Sequence, residues 1–284
     1  MYPEIFKIGP FTLHSFGLMA MLGFLIPTLI MRKEFRYRKI DPDLASTISV
    51  AAIIGGFIGA RLYFIIEHWH AFLREPMSMI FSGAGLVWYG GLFGGVIAVI
   101  WVIRHYKMPF WQTADIVAVL VLLGQTFGRM GCLLAADGDY GPPSDVPWAM
   151  RFPDGVRSTL NNPELQEAYR QMHPGQPVPD DIAVHPTPLY DILWLLSAFA
   201  FLWSLRRRDF VPGTLFGGYF IAVGIGRFIT EFWRMTPKVA FGWMTLAQII
   251  SVSMIALGVF IIYQRRRAHD EPPVVRATGA VSKV

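Results

Sequence analysis

The chain is poor in cysteine and in charged residues, and each shortage excludes a class of protein. A single cysteine, Cys132, among 284 residues rules out an internal disulfide. Charged residues make up 16% of the chain and hydrophobic residues 54%, whereas a soluble domain averages about 25% charged residues. The alternation of apolar and polar residues that a transmembrane barrel needs is also missing. The composition therefore indicates an integral membrane protein built of helices.

Seven apolar segments are long enough, or nearly so, to cross a bilayer core, which takes about 20 helical residues. We expect an all-α polytopic membrane protein with spans near 14–31, 47–66, 86–103, 113–134, 188–204, 213–232 and 243–263. Residues 1–265 then form one transmembrane domain. It includes an outer soluble loop at about 135–187, rich in Pro, Asp and Gly, with a short helical pattern in Asn162–Met172. Residues 266–284 are a polar tail that we expect to be disordered.

The distribution of lysine and arginine predicts the orientation. One set of connections and the C-terminal tail carry 15 of the 25 basic residues, the opposite set carries 7, and 3 lie within spans. Because basic residues accumulate on the cytoplasmic side, we expect the N-terminus outside and the C-terminus in the cytoplasm. The same bias explains the pI near 9.4 without a nucleic-acid partner.

Two arginines lie within apolar segments, Arg129 in the fourth span and Arg227 in the sixth. A guanidinium group is not deprotonated in a protein, so it needs an anionic partner, water or a polar cavity. Glu231 follows Arg227 at i+4 and can neutralise it, whereas Arg129 has no acid within its own helix turn. We therefore expect a site for an anion, most simply a lipid phosphate, with Arg129 as the better phosphate ligand.

Other polar residues near the spans admit two interpretations each. Arg61 can extend to the interface or face the cavity, and His14 can be a helix-boundary residue or a catalyst. Tyr89 can belong to the interfacial aromatic belt or to a site, and Gln248 can simply bridge helices. Cys132 has no activating base nearby in sequence, so we expect an inert thiol.

Taken together, these elements resemble the prolipoprotein diacylglyceryl transferase family of bacteria. The resemblance covers about residues 3 to 265, and its strength lies in the order of several short motifs. These motifs are Ile8–Leu18, Gly59–Tyr63, Tyr89-Gly-Gly91, Gly128-Arg-Met-Gly131, His185–Asp191 and Arg227–Arg234. The chain departs from the family pattern at Tyr89, where many members have His, and at Cys132, where the family run ends in Asn.

The resemblance implies a seven-helix body and a reaction that moves the diacylglyceryl group of phosphatidylglycerol onto a lipobox cysteine of a prolipoprotein. Arg129 matches the family's phosphatidylglycerol-binding arginine and Arg227 its second essential arginine. His14, Glu231 and Gln248 match polar positions around the same cavity. Tyr89 or His14 is then expected to accept the thiol proton, and Arg61 to help bind the lipid.

The implied partners are phosphatidylglycerol, prolipoprotein signal peptides and membrane lipid, in the bacterial plasma (inner) membrane. No metal cluster or nucleotide-binding loop is apparent in the sequence, and the reaction needs no cofactor. Two other functions fit a pair of membrane arginines: an anionic-lipid transporter and an inactive lipid-binding scaffold. The missing inverted repeat argues against the transporter, while Tyr89 and Cys132 keep the scaffold open.

Overall fold

The computed structural model describes residues 2–8, 11–81, 85–240 and 242–270. Its elements, in chain order, are β1 (Glu4–Ile8), β2 (Phe11–His14), α1 (Ser15–Tyr37), α2 (Leu44–Glu67), α3 (Trp69–Phe72), α4 (Pro76–Phe81), α5 (Trp88–His105), α6 (Phe110–Ala135), α7 (Pro163–Met172), α8 (Thr187–Leu205), α9 (Thr214–Thr230), a 3₁₀ turn (Glu231–Trp233), β3 (Lys238–Ala240), β4 (Met244–Thr245) and α10 (Leu246–Asp270).

Within the described ranges, seven helices are long and apolar enough to cross a membrane: α1, α2, α5, α6, α8, α9 with its 3₁₀ turn, and α10. They coincide with the seven predicted spans, which confirms the predicted fold class. The strands form two small antiparallel hairpins, β1–β2 and β3–β4, and neither hairpin was anticipated from the sequence. Both lie beside the first residues of a spanning helix, α1 or α10.

Glycine determines how closely α2 and α5 approach. A Cβ atom on Gly94 would lie 2.2 Å from the carbonyl oxygen of Gly55, and one on Gly59 would lie 2.3 Å from that of Gly90. No side chain fits at such distances, so the two backbones are in direct contact. The glycines at i and i+4 in these two helices, Gly55 with Gly59 and Gly90 with Gly94, therefore serve helix packing.

Helix α6 is the centre of the bundle and contacts α1, α8 and α9. It is also the most buried span, and its residues Val119, Leu120 and Leu122 are almost fully enclosed. At its beginning, Asp115 accepts hydrogen bonds from the backbone N–H groups of Gly213 (2.8 Å) and Phe216 (2.7 Å). Asp115 thereby satisfies two N–H groups at the start of α9 and fixes that helix against α6.

The excursion between α6 and α8 is a folded unit with its own apolar core. Six buried residues form this core: Ala136, Tyr140, Phe152, Leu165, Ile182 and Val184. The predicted short helix is present as α7, where the Asn162 side chain accepts from the backbone N–H groups of Glu164 and Leu165 at 3.0 and 3.3 Å. The excursion therefore holds a defined position over the bundle.

The two ends of the bundle differ in composition. The basic end, where α1, α5, α8 and α10 finish, has Glu34 buried against Arg38 (3.1 Å) and Arg206 (3.4 Å). The opposite end, which we call the site end, carries the excursion. Helix α10 continues through Arg265–Arg267 to Asp270, so the predicted tail boundary at residue 266 falls inside a helix, because no proline or glycine stops it there. Residues 271–284 lie outside the described residues.

Candidate functional site

Four charged side chains from four different segments meet at the site end. Arg234, just past the 3₁₀ turn, donates hydrogen bonds to Asp139 from both Nη1 and Nη2. Its Nη2 also lies 3.1 Å from Oδ2 of Asp191 in α8. Arg129, near the end of α6, contacts the same two carboxylates, through Nη1 to Asp139 and through Nε to Asp191 at 3.3 Å. Each carboxylate therefore bridges two guanidinium groups. We call Arg129, Asp139, Asp191 and Arg234 the arginine–aspartate clamp.

The chain reverses sharply to place Asp139 in the clamp. Ala136 ends α6 in the left-handed region (φ 49°) and Gly138 follows with φ 97°. A Cβ on Gly138 would lie 2.4 Å from the Arg157 side chain, so both the conformation and the space require glycine. The carbonyl of Asp139 then accepts a hydrogen bond from Thr187, the first residue of α8. The reversal thus joins the excursion, α6 and α8 at one point.

The charges within the clamp favour the ionised forms of Asp139 and Arg234. Burial opposes ionisation of Asp139, but the hydrogen bond from Arg234 and the charges of Arg129, Arg234 and Arg227 outweigh it and hold its pKa below the ordinary value. Burial opposes charge on Arg234 as well, and its hydrogen bond to Asp139 raises its pKa. The Arg234 side chain is 10% exposed and that of Arg129 is 31% exposed, so Arg129 is the outward member.

Arg227 and Glu231 form the second pair at this site. Arg227 Nη2 lies 2.7 Å from Glu231 Oε2, so the i, i+4 pairing proposed from the sequence is present. Glu231 is almost fully buried and also accepts a hydrogen bond from Thr236. Arg227 Nη1 is buried and has no hydrogen-bond partner in the described part of the chain. One donor of this guanidinium group is therefore available to a ligand.

Gln248 caps the last helix at the level of Arg227. Its side-chain Oε1 accepts a hydrogen bond from the backbone N–H of Thr245 (3.0 Å), and its backbone N–H donates to Thr245 Oγ1 (3.3 Å). This reciprocal pair is a capping box. Helices α9 and α10 run antiparallel, with Gly224 against Ser251 and Gly217 against Gly258. Continuing that register places Gln248 opposite Arg227. The side chain is 2% exposed, so its established partner is the helix end.

Tyr89, Arg61 and His14 lie at the site end but on other elements. Tyr89 begins α5, is 47% exposed and packs edge-on against Trp88. Arg61 of α2 is buried and donates to the carbonyl of Gly85 at 3.3 Å. His14 ends β2, opposite Glu4, and is exposed. Among the described residues, no hydrogen bond joins Tyr89 or His14 to Arg129.

Arg129 pairs with two acids, Asp139 and Asp191, that were not identified from the sequence. These acids lie 10 and 62 positions away in sequence, beyond the reach of a helical-spacing argument. Arg234 was also missed, since it follows the sixth span and resembles an ordinary interfacial cation. Asp191 and Arg234 lie within the motifs His185–Asp191 and Arg227–Arg234, and Asp139 lies just after the end of α6. Only the tertiary structure shows that the three residues meet.

Comparison with known proteins gives one consistent result. The family model described as prolipoprotein diacylglyceryl transferase matches residues 3–264. Proteins named phosphatidylglycerol–prolipoprotein diacylglyceryl transferase match over nearly their full length. The one from Stenotrophomonas maltophilia is 33% identical over 94% of this chain and 92% of its own. Those from Nostoc (98% and 95% covered) and Staphylococcus haemolyticus (99% and 93%) are 29% and 30% identical. This multi-pass membrane protein belongs to the prolipoprotein diacylglyceryl transferase family.

Proposed function

We propose that this chain transfers the diacylglyceryl group of phosphatidylglycerol to the thiol of a lipobox cysteine in a prolipoprotein. The cysteine sulfur forms a bond to the glyceryl carbon that carries the phosphate, and the bond from that carbon to the phosphate oxygen breaks. Glycerol 1-phosphate leaves, and the thiol proton passes to a base. The names of the full-length relatives support this reaction, as does a site of three arginines at one end of the bundle.

The available guanidinium donors carry the argument for phosphate binding. Among the described residues, Arg227 Nη1 is buried without a hydrogen-bond partner, and Arg129 contacts its two carboxylates through Nη1 and Nε. A phosphate held between these two side chains would complete their hydrogen bonding without breaking the clamp. Guanidinium groups suit this role because their planar N–H fork matches two phosphate oxygens.

The fixed positive charges of the site favour the growth of negative charge on the phosphate. The positive charges of three arginines nearly balance the negative charges of three acids, and the six residues are Arg129, Arg227, Arg234, Asp139, Asp191 and Glu231. The phosphate changes from a diester with one negative charge to a monoester with nearly two as the bond breaks. Guanidinium groups already fixed in position stabilise such growing charge more effectively than mobile water. Glu231 and the two aspartates act here as positioning residues.

Thiol deprotonation is assigned to Tyr89 or His14. A cysteine thiol has an ordinary pKa of about 8.5, so a base speeds formation of the thiolate. Both residues belong to the site end, where the excursion 135–187 offers an approach for the prolipoprotein. Arg61 and Gln248 complete the proposed lipid-binding set, since Arg61 begins the last turns of α2 and Gln248 lies level with Arg227. The site end then faces outward from the bacterial inner membrane, which agrees with the basic residues at the other end.

The test is transfer of a diacylglyceryl-labelled phosphatidylglycerol to a lipobox peptide by the purified protein. We expect a labelled thioether product, and no product from a peptide in which serine replaces the lipobox cysteine. Absence of transfer by a folded protein that still binds phosphatidylglycerol would favour the scaffold. Movement of labelled lipid between the leaflets of a liposome, without transfer, would favour the transporter.

A further inference from the structure

A second cationic cleft lies at the basic end, far along the bundle from the arginine–aspartate clamp. The turn from α5 to α6 opens a cleft of about 440 Å³, lined by Ile103, Arg104, Lys107, Met108, Phe110 and Trp111. Arg265 of α10 contacts one of the lining residues: its guanidinium group lies 4.7 Å from the centre of the Trp111 ring, and its Nε donates to the carbonyl of Pro212 at 3.0 Å. Two cations therefore line the cleft, and a third lies against its Trp111 wall.

The cations of this cleft differ from those of the clamp in their acidic partners, as far as the described residues show. Within the described ranges, no carboxylate lies within ion-pair distance of Arg104, Lys107 or Arg265. Two buried acids of the basic half are paired elsewhere, Glu34 with Arg38 and Arg206, and Asp115 with the backbone at the start of α9. At the site end, by contrast, each of the three site arginines faces a carboxylate. The cleft thus keeps an uncompensated positive charge.

Lys107 has a left-handed backbone conformation at the end of α5. Helix α5 ends in a Schellman motif, in which Met108 N–H donates to Ile103 (2.9 Å) and Lys107 N–H to Arg104 (3.2 Å). Lys107 occupies the left-handed position of this motif with φ 51°, where glycine is the favoured residue. A lysine there lowers stability relative to glycine. Replacing Lys107 by glycine therefore removes the ammonium group without straining the end of α5.

Gly213 has the complementary role on the other side of the cleft. A Cβ on Gly213 would lie 2.9 Å from both the Arg265 side chain and the Trp111 ring. Its φ of 102° also requires glycine. Glycine at this position therefore leaves room for the Arg265 side chain against Trp111.

We propose that the cleft between the α5–α6 turn and Arg265 binds the phosphate of an anionic phospholipid from the leaflet at the basic end, separately from the transferase site. Arg104, Lys107 and Arg265 contact the phosphate and headgroup. Ile103, Phe110 and Trp111 contact the upper acyl chains. Basic recesses between helices on the side that carries the positive residues are suited to such headgroups. This proposal does not depend on the transferase reaction.

The test compares Lys107→Gly with Lys39→Gly. Lys39 ends α1 in the same motif, with φ 58° and Ile40 N–H donating to Phe35 at 2.9 Å, but it does not line the cleft. The two variants have equal masses and equal charge changes. Each is mixed with wild type in neutral detergent and titrated with dioleoyl phosphatidylserine, and bound lipid is counted by native mass spectrometry. Any phosphatidylserine that binds at the clamp does so in all three proteins, so it does not contribute to the difference between them.

We expect Lys107→Gly to bind phosphatidylserine roughly 5-fold more weakly, as expected for one cation near an anionic headgroup, while Lys39→Gly binds as wild type does. Both variants should melt no lower than wild type without lipid, because glycine relieves the same strain. Equal binding by Lys107→Gly and wild type would overturn the proposal. So would equal weakening in both variants, or wild-type binding of phosphatidylcholine as tight as that of phosphatidylserine.

Discussion

Replacing Asp139 by asparagine should loosen the site end more than any single exposed charge could. The substitution keeps the shape of the side chain but removes the charge that bridges Arg129 and Arg234. Removing one partner of a fully buried ion pair costs about 3–5 kcal/mol. The exposed fractions here, 23% for Asp139 and 10% for Arg234, reduce the expected loss to about 2–3 kcal/mol. At roughly 2–4 °C per kcal/mol, the midpoint of thermal unfolding should fall by about 5–10 °C.

The matched control is Glu167→Gln, which removes a carboxylate from an ion pair on α7. Glu167 and Arg170 are 61% and 55% exposed, so this loss should be below about 1 kcal/mol. The measurement is the unfolding midpoint in detergent for both variants and wild type at pH 7. Equal midpoints for Asp139→Asn and Glu167→Gln would refute the bridging role of Asp139.

The pH dependence of the Asp139 effect has a defined sign. The pKa of Asp139 in the folded protein lies below its ordinary value, so its contribution is present in full above the unfolded pKa of about 3.9. That contribution is lost as the pH falls through the folded pKa. The difference in midpoint between wild type and Asp139→Asn should therefore stay constant from pH 8 to about pH 5 and shrink only below about pH 4.

Three further experiments use substitutions in other parts of the molecule. Gly94→Ala should destabilise the bundle severely, because its Cβ would lie 2.2 Å from the carbonyl oxygen of Gly55, whereas Gly17→Ala meets nothing within 4 Å and should be neutral or slightly stabilising in a thermal melt. Gln248→Ala removes the reciprocal cap of α10 and should cost about 1 kcal/mol; a midpoint equal to wild type would argue against the capping role. Of Tyr89→Phe and His14→Ala, the variant that removes the base should lose about 10²- to 10⁴-fold in turnover, and full turnover by both would eliminate both assignments.

Local sequence signals predicted the parts of this molecule that depend on neighbouring residues. Apolar length predicted the seven spans, and helical spacing predicted the contact between Arg227 and Glu231. A short helical pattern in Asn162–Met172 predicted α7 within the excursion. In each case the interacting groups lie within a few residues of one another, so the pattern alone contains the information.

The clamp depends on contacts that sequence spacing does not contain. Asp139 reaches Arg129 only because the chain reverses at Ala136 and Gly138, and Asp191 reaches it only because α8 packs against α6. The Arg234 side chain is only 10% exposed although it follows the last apolar residue of its span. An apolar pattern reports how much surface a segment buries but not which segments become neighbours.

The most direct test of the account is a single-turnover reaction with labelled phosphatidylglycerol and a lipobox peptide, comparing Arg129→Ala with Arg170→Ala. Arg129 presents its guanidinium group at the site, while Arg170 lies exposed on α7. The proposed role predicts a loss of at least about 10²-fold in the rate of thioether formation and glycerol 1-phosphate release for Arg129→Ala, with wild-type rates for Arg170→Ala. A folded Arg129→Ala variant that reacts at the wild-type rate would contradict the assignment of the phosphate to the arginine–aspartate clamp.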